Sequence, residues 1–154
     1  YQIKELYKLV MVSSIILLTA TTTKFGQTKG ENWSAAVDKV KEKMNSECDV
    51  LLSAYYTNTA FSYYYYGDKN VEYTDAAKQL KNDNIYCIDR LDDNRIAELN
   101  LKSQVIAVQS HQIDADPENT VITTLSKNYV LTESFDFENV KVSVFIKRII
   151  NDAP

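Results

Sequence analysis

His111 and the carboxylates that follow it are the residues of this chain best suited to acid–base or metal chemistry. His111 is the only histidine, and Asp114 and Asp116 lie close behind it. All three occupy one short stretch, without the spacing typical of a catalytic metal site. No Gly-x-Ser-x-Gly motif is present to position a serine nucleophile for a histidine base. We therefore predict neither a catalytic residue nor a metal ion, and we interpret His111 as a loop residue.

Composition excludes several further kinds of site. The three glycines, at positions 26, 30 and 67, cannot form a glycine-rich phosphate loop, so no cofactor is predicted. The net charge is -4, and the lysines and arginines are scattered rather than clustered, which argues against nucleic acid as a partner. Cys48 and Cys87 are too few for a structural zinc site. They are either a disulfide or, as we favour, two buried free thiols.

Tyrosine is the unusual component of the sequence. Eleven tyrosines occur, including Tyr55, Tyr56 and the consecutive run at positions 63–66. Four consecutive residues of a helix point in every direction, so some of these rings are expected in the core and others at the surface. Packing of the helix against a sheet is the simpler interpretation. The alternative is an aromatic platform for a sugar ring or a lipid headgroup.

Helical and strand patterns alternate along the rest of the chain. Apolar residues recur at helical spacing from Asn32, the predicted N-cap, to Asn45. The apolar run at 48–54 is typical of a strand buried on both faces, and the runs at 85–89 and 105–108 are predicted to be two further strands. Further helices are predicted at 58–66, from residue 74 or 75 to 80, at 92–101, and from Asp116-Pro117 through 125. Residues 129–135 and 140–147 are predicted to pair as a hairpin. The second segment has a period of two, which indicates a half-exposed strand with one face buried and the other exposed: Val140, Val142, Val144 and Ile146 alternate with Lys141, Ser143, Phe145 and Lys147.

This order predicts an α/β fold with a small, mostly parallel sheet, flanking helices and a C-terminal antiparallel hairpin. Side chains follow each of the three predicted parallel strands: Tyr55 and Tyr56 after the first, Asp89 and Arg90 after the second, and His111 after the third. Ligands of open α/β sheets bind outside the carboxyl ends of the strands. We therefore predict a ligand-binding site formed by these five residues.

The N-terminal segment is apolar and uncharged from Leu9 to Thr23. We favour the end of a transmembrane helix over a signal peptide or a buried core element. The predicted organisation is an apolar segment at 1–25, a linker at 26–31 and a soluble α/β domain at 32–154. Because the chain begins with Tyr1 rather than Met, we expect it to be the end of a longer protein.

The order of these features resembles the C-terminal region of bacterial membrane glycosyltransferases of the dolichyl-phosphate-mannose mannosyltransferase and aminoarabinose transferase type. The similarity consists of an apolar run at 9–23, Asn-Trp-Ser-Ala-Ala at 32–36, an apolar strand at 49–54, aromatic residues at 61–66 and a closing strand at 137–145. The closing strand has the sequence Phe-Glu-Asn-Val-Lys-Val-Ser-Val-Phe, which is similar to the family's Val-x-Val-x-Phe strand. It covers nearly the whole chain, and it is a pattern of element order rather than a catalytic signature.

The resemblance implies a function for the parent protein. The intact enzyme would transfer a sugar from a polyprenyl-phosphate donor, and its catalytic acid would lie in a loop near its own N-terminus, outside this chain. This chain would then be a non-catalytic extracytoplasmic domain, held at the lipid bilayer by its N-terminal segment and joined to the rest of the membrane protein. Its expected ligand is a sugar or a lipid-linked sugar. The alternative is a freestanding or membrane-anchored α/β ligand-binding module.

Overall fold

The computed structural model describes residues 30–67 and 75–149 of the chain. The predicted apolar segment at 1–25 and most of the linker lie outside these residues. The elements are α1 (Trp33–Lys43), β1 (Cys48–Ser53), a 3-10 turn (Tyr55–Thr57), α2 (Asn58–Tyr66), α3 (Ala76–Asn82), β2 (Ile85–Ile88), α4 (Asp93–Leu99), β3 (Gln104–Ser110), α5 (Gln112–Ala115), α6 (Thr120–Asn128), β4 (Tyr129–Phe137) and β5 (Val140–Lys147).

The five strands form one mixed sheet in the order β2-β1-β3-β5-β4. β1 is parallel to both β2 and β3, whereas β5 is antiparallel to both β3 and β4. The prediction of an α/β fold is confirmed, but the prediction of a mostly parallel sheet was wrong. The parallel strands β1 and β2 have six and four residues, whereas the hairpin strands have eight and nine, so most of the pairing is antiparallel.

Helices cover both faces of the sheet. On the first face, α1, α2 and α3 pack on the sheet through a core that contains Trp33, Val37, Phe61 and Leu80. On the second face, the loop before α4 and helix α6 contribute Leu91 and Leu125, among others, to a separate core. Within 30–67 and 75–149, none of the helices combines the length and apolar character that a bilayer span requires.

Helix α1 begins where the sequence predicts. The Asn32 side chain accepts a hydrogen bond from the Ala35 amide at 3.2 Å, so Asn32 is the N-cap. Trp33 lies at the first helical position and packs edge-on against Phe61, with ring centroids 6.3 Å apart. The cap and this aromatic contact together fix the start of α1 over the first face.

The tyrosine run on α2 divides between the core side and the surface. Tyr63 and Tyr64 are exposed, whereas Tyr65 stacks on the buried Phe61 with centroids 5.6 Å apart. Tyr66 is half-buried, and its hydroxyl donates to the Asp83 carboxylate at 2.7 Å. Packing therefore accounts for two of the four rings.

The start of α6 differs from the prediction. The helix begins at Thr120 rather than after Asp116-Pro117, because Asp116 turns inward and is fully buried. Its carboxylate accepts hydrogen bonds from the amides of Thr120 at 2.8 Å and Val121 at 2.9 Å. Asp116 thus accepts hydrogen bonds from the first two amides of α6, which lie four and five residues after it. The sequence pattern instead predicts that Asp116 is the N-cap directly before the helix.

Strand β5 is more buried than its alternating pattern predicts. Phe145 is fully buried in the second core, and Ser143 is buried as well, although both were expected on an exposed face. Ile146, expected on the buried face, is 40% exposed. The reason is that β5 lies between β3 and β4, where helix α6 also covers its second face.

Cys48 and Cys87 are free thiols, as the favoured interpretation predicts, but only Cys48 is fully buried and Cys87 is half-buried. Burial raises the pKa of each thiol to about 11. Both are therefore neutral at physiological pH.

The β4–β5 turn offers a stabilising substitution. Glu138 and Asn139 form its two central residues, with φ values of +37° and +69°, which is the backbone of a type I′ turn. Asn occupies the left-handed region more readily than Glu. Glu138→Asn is therefore expected to raise the free energy of unfolding by about 0.5–1 kcal/mol in urea titrations. The matched control is Glu118→Asn, which removes the same charge at an exposed loop position and should be neutral; equal effects would contradict this interpretation of the turn.

Candidate functional site

The carboxyl ends of β1 and β3 form the topological switch point of the sheet. β2 and β3 lie on opposite sides of β1 in the sheet. The connection from β1 to β2 runs over the first face, and the connection from β2 to β3, which contains α4, runs over the second face. The two connections diverge at this point. This is where the general rule for α/β sheets places a ligand.

Both strands end in a left-handed residue that turns the chain sharply. Ala54 follows β1 with φ +71°, and His111 follows β3 with φ +50°. After Ala54, the amide and hydroxyl of Thr57 both donate to the Ala54 carbonyl, at 2.9 and 2.7 Å. The Tyr55 amide donates to the Asp89 carboxylate at 2.7 Å, which joins the end of β1 to the end of β2. Non-glycine residues rarely adopt this backbone, and such strain is concentrated at functional sites.

Glu31 joins the end of β3 to the start of α1. One of its carboxylate oxygens accepts a hydrogen bond from the Ser110 hydroxyl and lies 2.9 Å from Nε2 of His111. The other oxygen accepts from the indole nitrogen of Trp33 at 2.8 Å. Glu31 therefore fixes Ser110 and His111 in place at the end of β3.

Tyr56 and His111 meet across the switch point. Their ring centroids are 5.5 Å apart, with the ring planes inclined by 53°. Desolvation and the nearby carboxylates of Asp114, Glu31 and Asp89 raise the pKa of Tyr56, so its phenol is neutral at physiological pH. The surroundings of this ring are thus acidic and contain both an aromatic face and hydrogen-bonding groups.

A cleft of about 320 Å³ extends from His111 to the β4–β5 turn. Its lining residues are almost all polar: Gln109, Ser110, His111, Gln112, Asp136, Asn139, Val140 and Lys141. These side chains supply both donors and acceptors. The cleft lies within the lower part of the volume range of small-molecule sites.

The five predicted site residues do not converge on one cleft. Tyr56 and His111 are in contact. The Asp89 carboxylate accepts from the Tyr55 amide, but the Tyr55 side chain lines a different cleft at the β2 edge of the sheet. Arg90 is exposed after β2.

Glu31 is the important residue that sequence reasoning missed. It lies in the predicted linker, 79 positions from Ser110 along the chain, and its only local signal is its place just before the N-cap of α1. Asp116, by contrast, faces the interior and cannot join His111 and Asp114 in a metal site. The described residues contain no group of three or more histidines, cysteines or carboxylates arranged to hold a metal ion.

Comparisons of the chain with protein-family models, with curated proteins and with solved structures give no significant match.

Removing the Glu31 carboxylate should loosen this corner of the fold. Glu31→Ala leaves the partly buried indole N–H of Trp33 and the hydroxyl of Ser110 without an acceptor, so we expect a loss of about 1–3 kcal/mol in the free energy of unfolding. Trp33 is the only tryptophan, so its indole N–H resonance should also shift. Glu47→Ala, an exposed substitution just before β1, is the control. The same stability and the same indole resonance in both variants would refute the role given to Glu31.

Proposed function

We propose that residues 31–149 form a non-catalytic module that binds a sugar in the cleft between the end of β3 and the β4–β5 turn, which we call the sugar crevice. The observation that carries this proposal is the polar 320 Å³ volume of this cleft, together with the Tyr56 ring, which packs on His111 at its border. A sugar ring presents hydroxyl groups that both donate and accept hydrogen bonds, and it presents an apolar face to an aromatic ring. The lining of this crevice matches both properties.

The charge of the crevice narrows the ligand class. Glu31, Asp89 and Asp114 surround Tyr56, and Asp136 lines the cleft, whereas Lys141 is the only cationic side chain among its lining residues. Carboxylates repel a phosphate group and attract an amine. The proposed ligand is therefore a neutral sugar or an amino sugar, and any phosphate attached to it lies outside the cleft.

Saturation-transfer NMR on the full chain tests this proposal. The probes are mannose, glucose, galactose, arabinose and glucosamine, together with mannose 6-phosphate. We expect transfer to at least one of the unphosphorylated sugars and a loss of that transfer in Tyr56→Ala. Tyr63→Ala removes another exposed tyrosine, from α2, and should bind normally. Absence of transfer to every unphosphorylated sugar, or equal transfer in both variants, would overturn the proposal.

We further propose that this module is the C-terminal extracytoplasmic domain of a membrane glycosyltransferase that uses a polyprenyl-phosphate sugar. The support is the order of elements after the apolar run at 9–23. In this proposal the bilayer holds the N-terminal segment, and the module presents or shapes the acceptor side. The coding sequence upstream of Tyr1 is the test: about ten further apolar segments and an acidic first loop are expected, and a start codon just before Tyr1 would overturn the proposal.

A further inference from the structure

A second cleft, of about 490 Å³, lies at the open edge of the sheet beside β2. Helix α3 borders it on the first face, and helix α4 borders it on the second face. Its lining residues are Tyr55, Ala77, Lys78, Lys81, Tyr86, Cys87, Arg95, Glu98 and Leu99. It shares no lining residue with the cleft at His111.

Positively charged side chains outnumber negatively charged ones in the lining of this cleft. Lys78 and Lys81 lie three residues apart and therefore on the same side of α3, facing the space that Arg95 approaches from α4. Arg95 is paired with Glu98 at 2.9 Å. Across 30–67 and 75–149, by contrast, no carboxylate lies within 4.0 Å of either lysine. The lining side chains thus carry a net charge of about +2. A phosphate monoester carries a charge of about the same size and of opposite sign.

Two tyrosines give the cleft an aromatic component. The Tyr55 side chain is half exposed at one end, and Tyr86 is half-buried on β2. Desolvation and the carboxylate of Asp49 raise the pKa of Tyr86, so its phenol remains a hydrogen-bond donor at neutral pH. The cleft therefore offers cationic groups for an anion together with flat surfaces for a ring.

We propose that the cleft beside β2 is a separate binding site for a small phosphate monoester attached to a ring. Lys78 and Lys81 would neutralise the phosphate as point charges, and Arg95 would donate from the opposite side. Tyr55 and Tyr86 would contact the ring. The site is independent of the sugar crevice and has the opposite charge preference.

Amide NMR on the full chain tests this site with phenyl phosphate as the probe. Phenyl phosphate should perturb the amides of α3 and β2, and benzyl alcohol, which has the ring without the anion, should not. Lys78→Gln/Lys81→Gln should weaken binding at least tenfold. The control Lys127→Gln/Lys147→Gln removes the same charge from other surfaces and should bind within twofold of the original.

Three outcomes would overturn the proposal. These are equal weakening in the two double variants, perturbation of the amides around His111 instead of α3 and β2, and no perturbation at millimolar phenyl phosphate. Tyr56→Ala separates this proposal from the sugar crevice. That variant should bind phenyl phosphate normally, because Tyr56 does not line the cleft beside β2.

Discussion

Phe145→Ala is expected to lower the free energy of unfolding by about 3–5 kcal/mol. The Phe145 side chain is fully buried in the second core, where its neighbours in the cluster include Val105 and Leu125. Its removal leaves a cavity, and the strands on both sides of β5 prevent this cavity from collapsing. Urea unfolding, followed by circular dichroism, measures the effect as a shift in midpoint at constant slope.

Ile146→Ala provides a control at the next residue of the same strand. Ile146 is 40% exposed and pairs across the ladder with the exposed Val130, so its truncation should cost less than about 1 kcal/mol. The alternating sequence pattern predicts the reverse order, with Ile146 buried and Phe145 exposed. A larger loss for Ile146→Ala than for Phe145→Ala would contradict the register and the two-sided burial of β5.

Asp116→Ala is expected to lower the free energy of unfolding by roughly 3 kcal/mol. The substitution leaves two amides at the start of α6, those of Thr120 and Val121, without an acceptor in a region where the carboxylate is fully buried. Such a loss corresponds to a fall in Tm of about 10 °C for a domain of this size. Asp116→Asn keeps one acceptor oxygen and should lie between the alanine variant and the original.

Asp114→Ala is the matched control for Asp116. It removes an exposed carboxylate from the preceding short helix, and its effect on stability should be within about 0.5 kcal/mol. If Asp114→Ala and Asp116→Ala were equally stable in thermal unfolding, the capping role of Asp116 would be refuted.

The sequence predicts elements well where a local signal sets them. Asn32 caps α1, and Gly67 with φ +72° follows α2, because each residue acts on the backbone beside it. The three short apolar runs form the three parallel strands, because a short run of apolar residues is itself a local signal for a buried strand. Because the strand ends are predictable in this way, the sequence alone locates Tyr56 and His111 at a common edge of the sheet.

The features that depend on distant pairing are not visible in the sequence. The position of β5 beside β3 determines both the burial of Phe145 and the excess of antiparallel pairing, and no local pattern encodes it. Glu31 reaches Ser110 and His111 only because α1 crosses the first face of the sheet. Tyr55 and Tyr56 are adjacent in sequence, yet the left-handed Ala54 and the following 3-10 turn direct their side chains to different surroundings.

The central claim is that the sugar crevice, between the end of β3 and the β4–β5 turn and bordered by Tyr56, binds a sugar. The most direct measurement is an amide NMR titration of the full chain with the unphosphorylated sugar that gives the strongest saturation transfer. We predict that the largest shifts fall at Ala54–Thr57, at Ser110–His111 and at the Glu138–Asn139 turn. Saturable shifts confined to other surfaces, such as α3 or α4, or no saturable shift with any of the sugars, would contradict the claim.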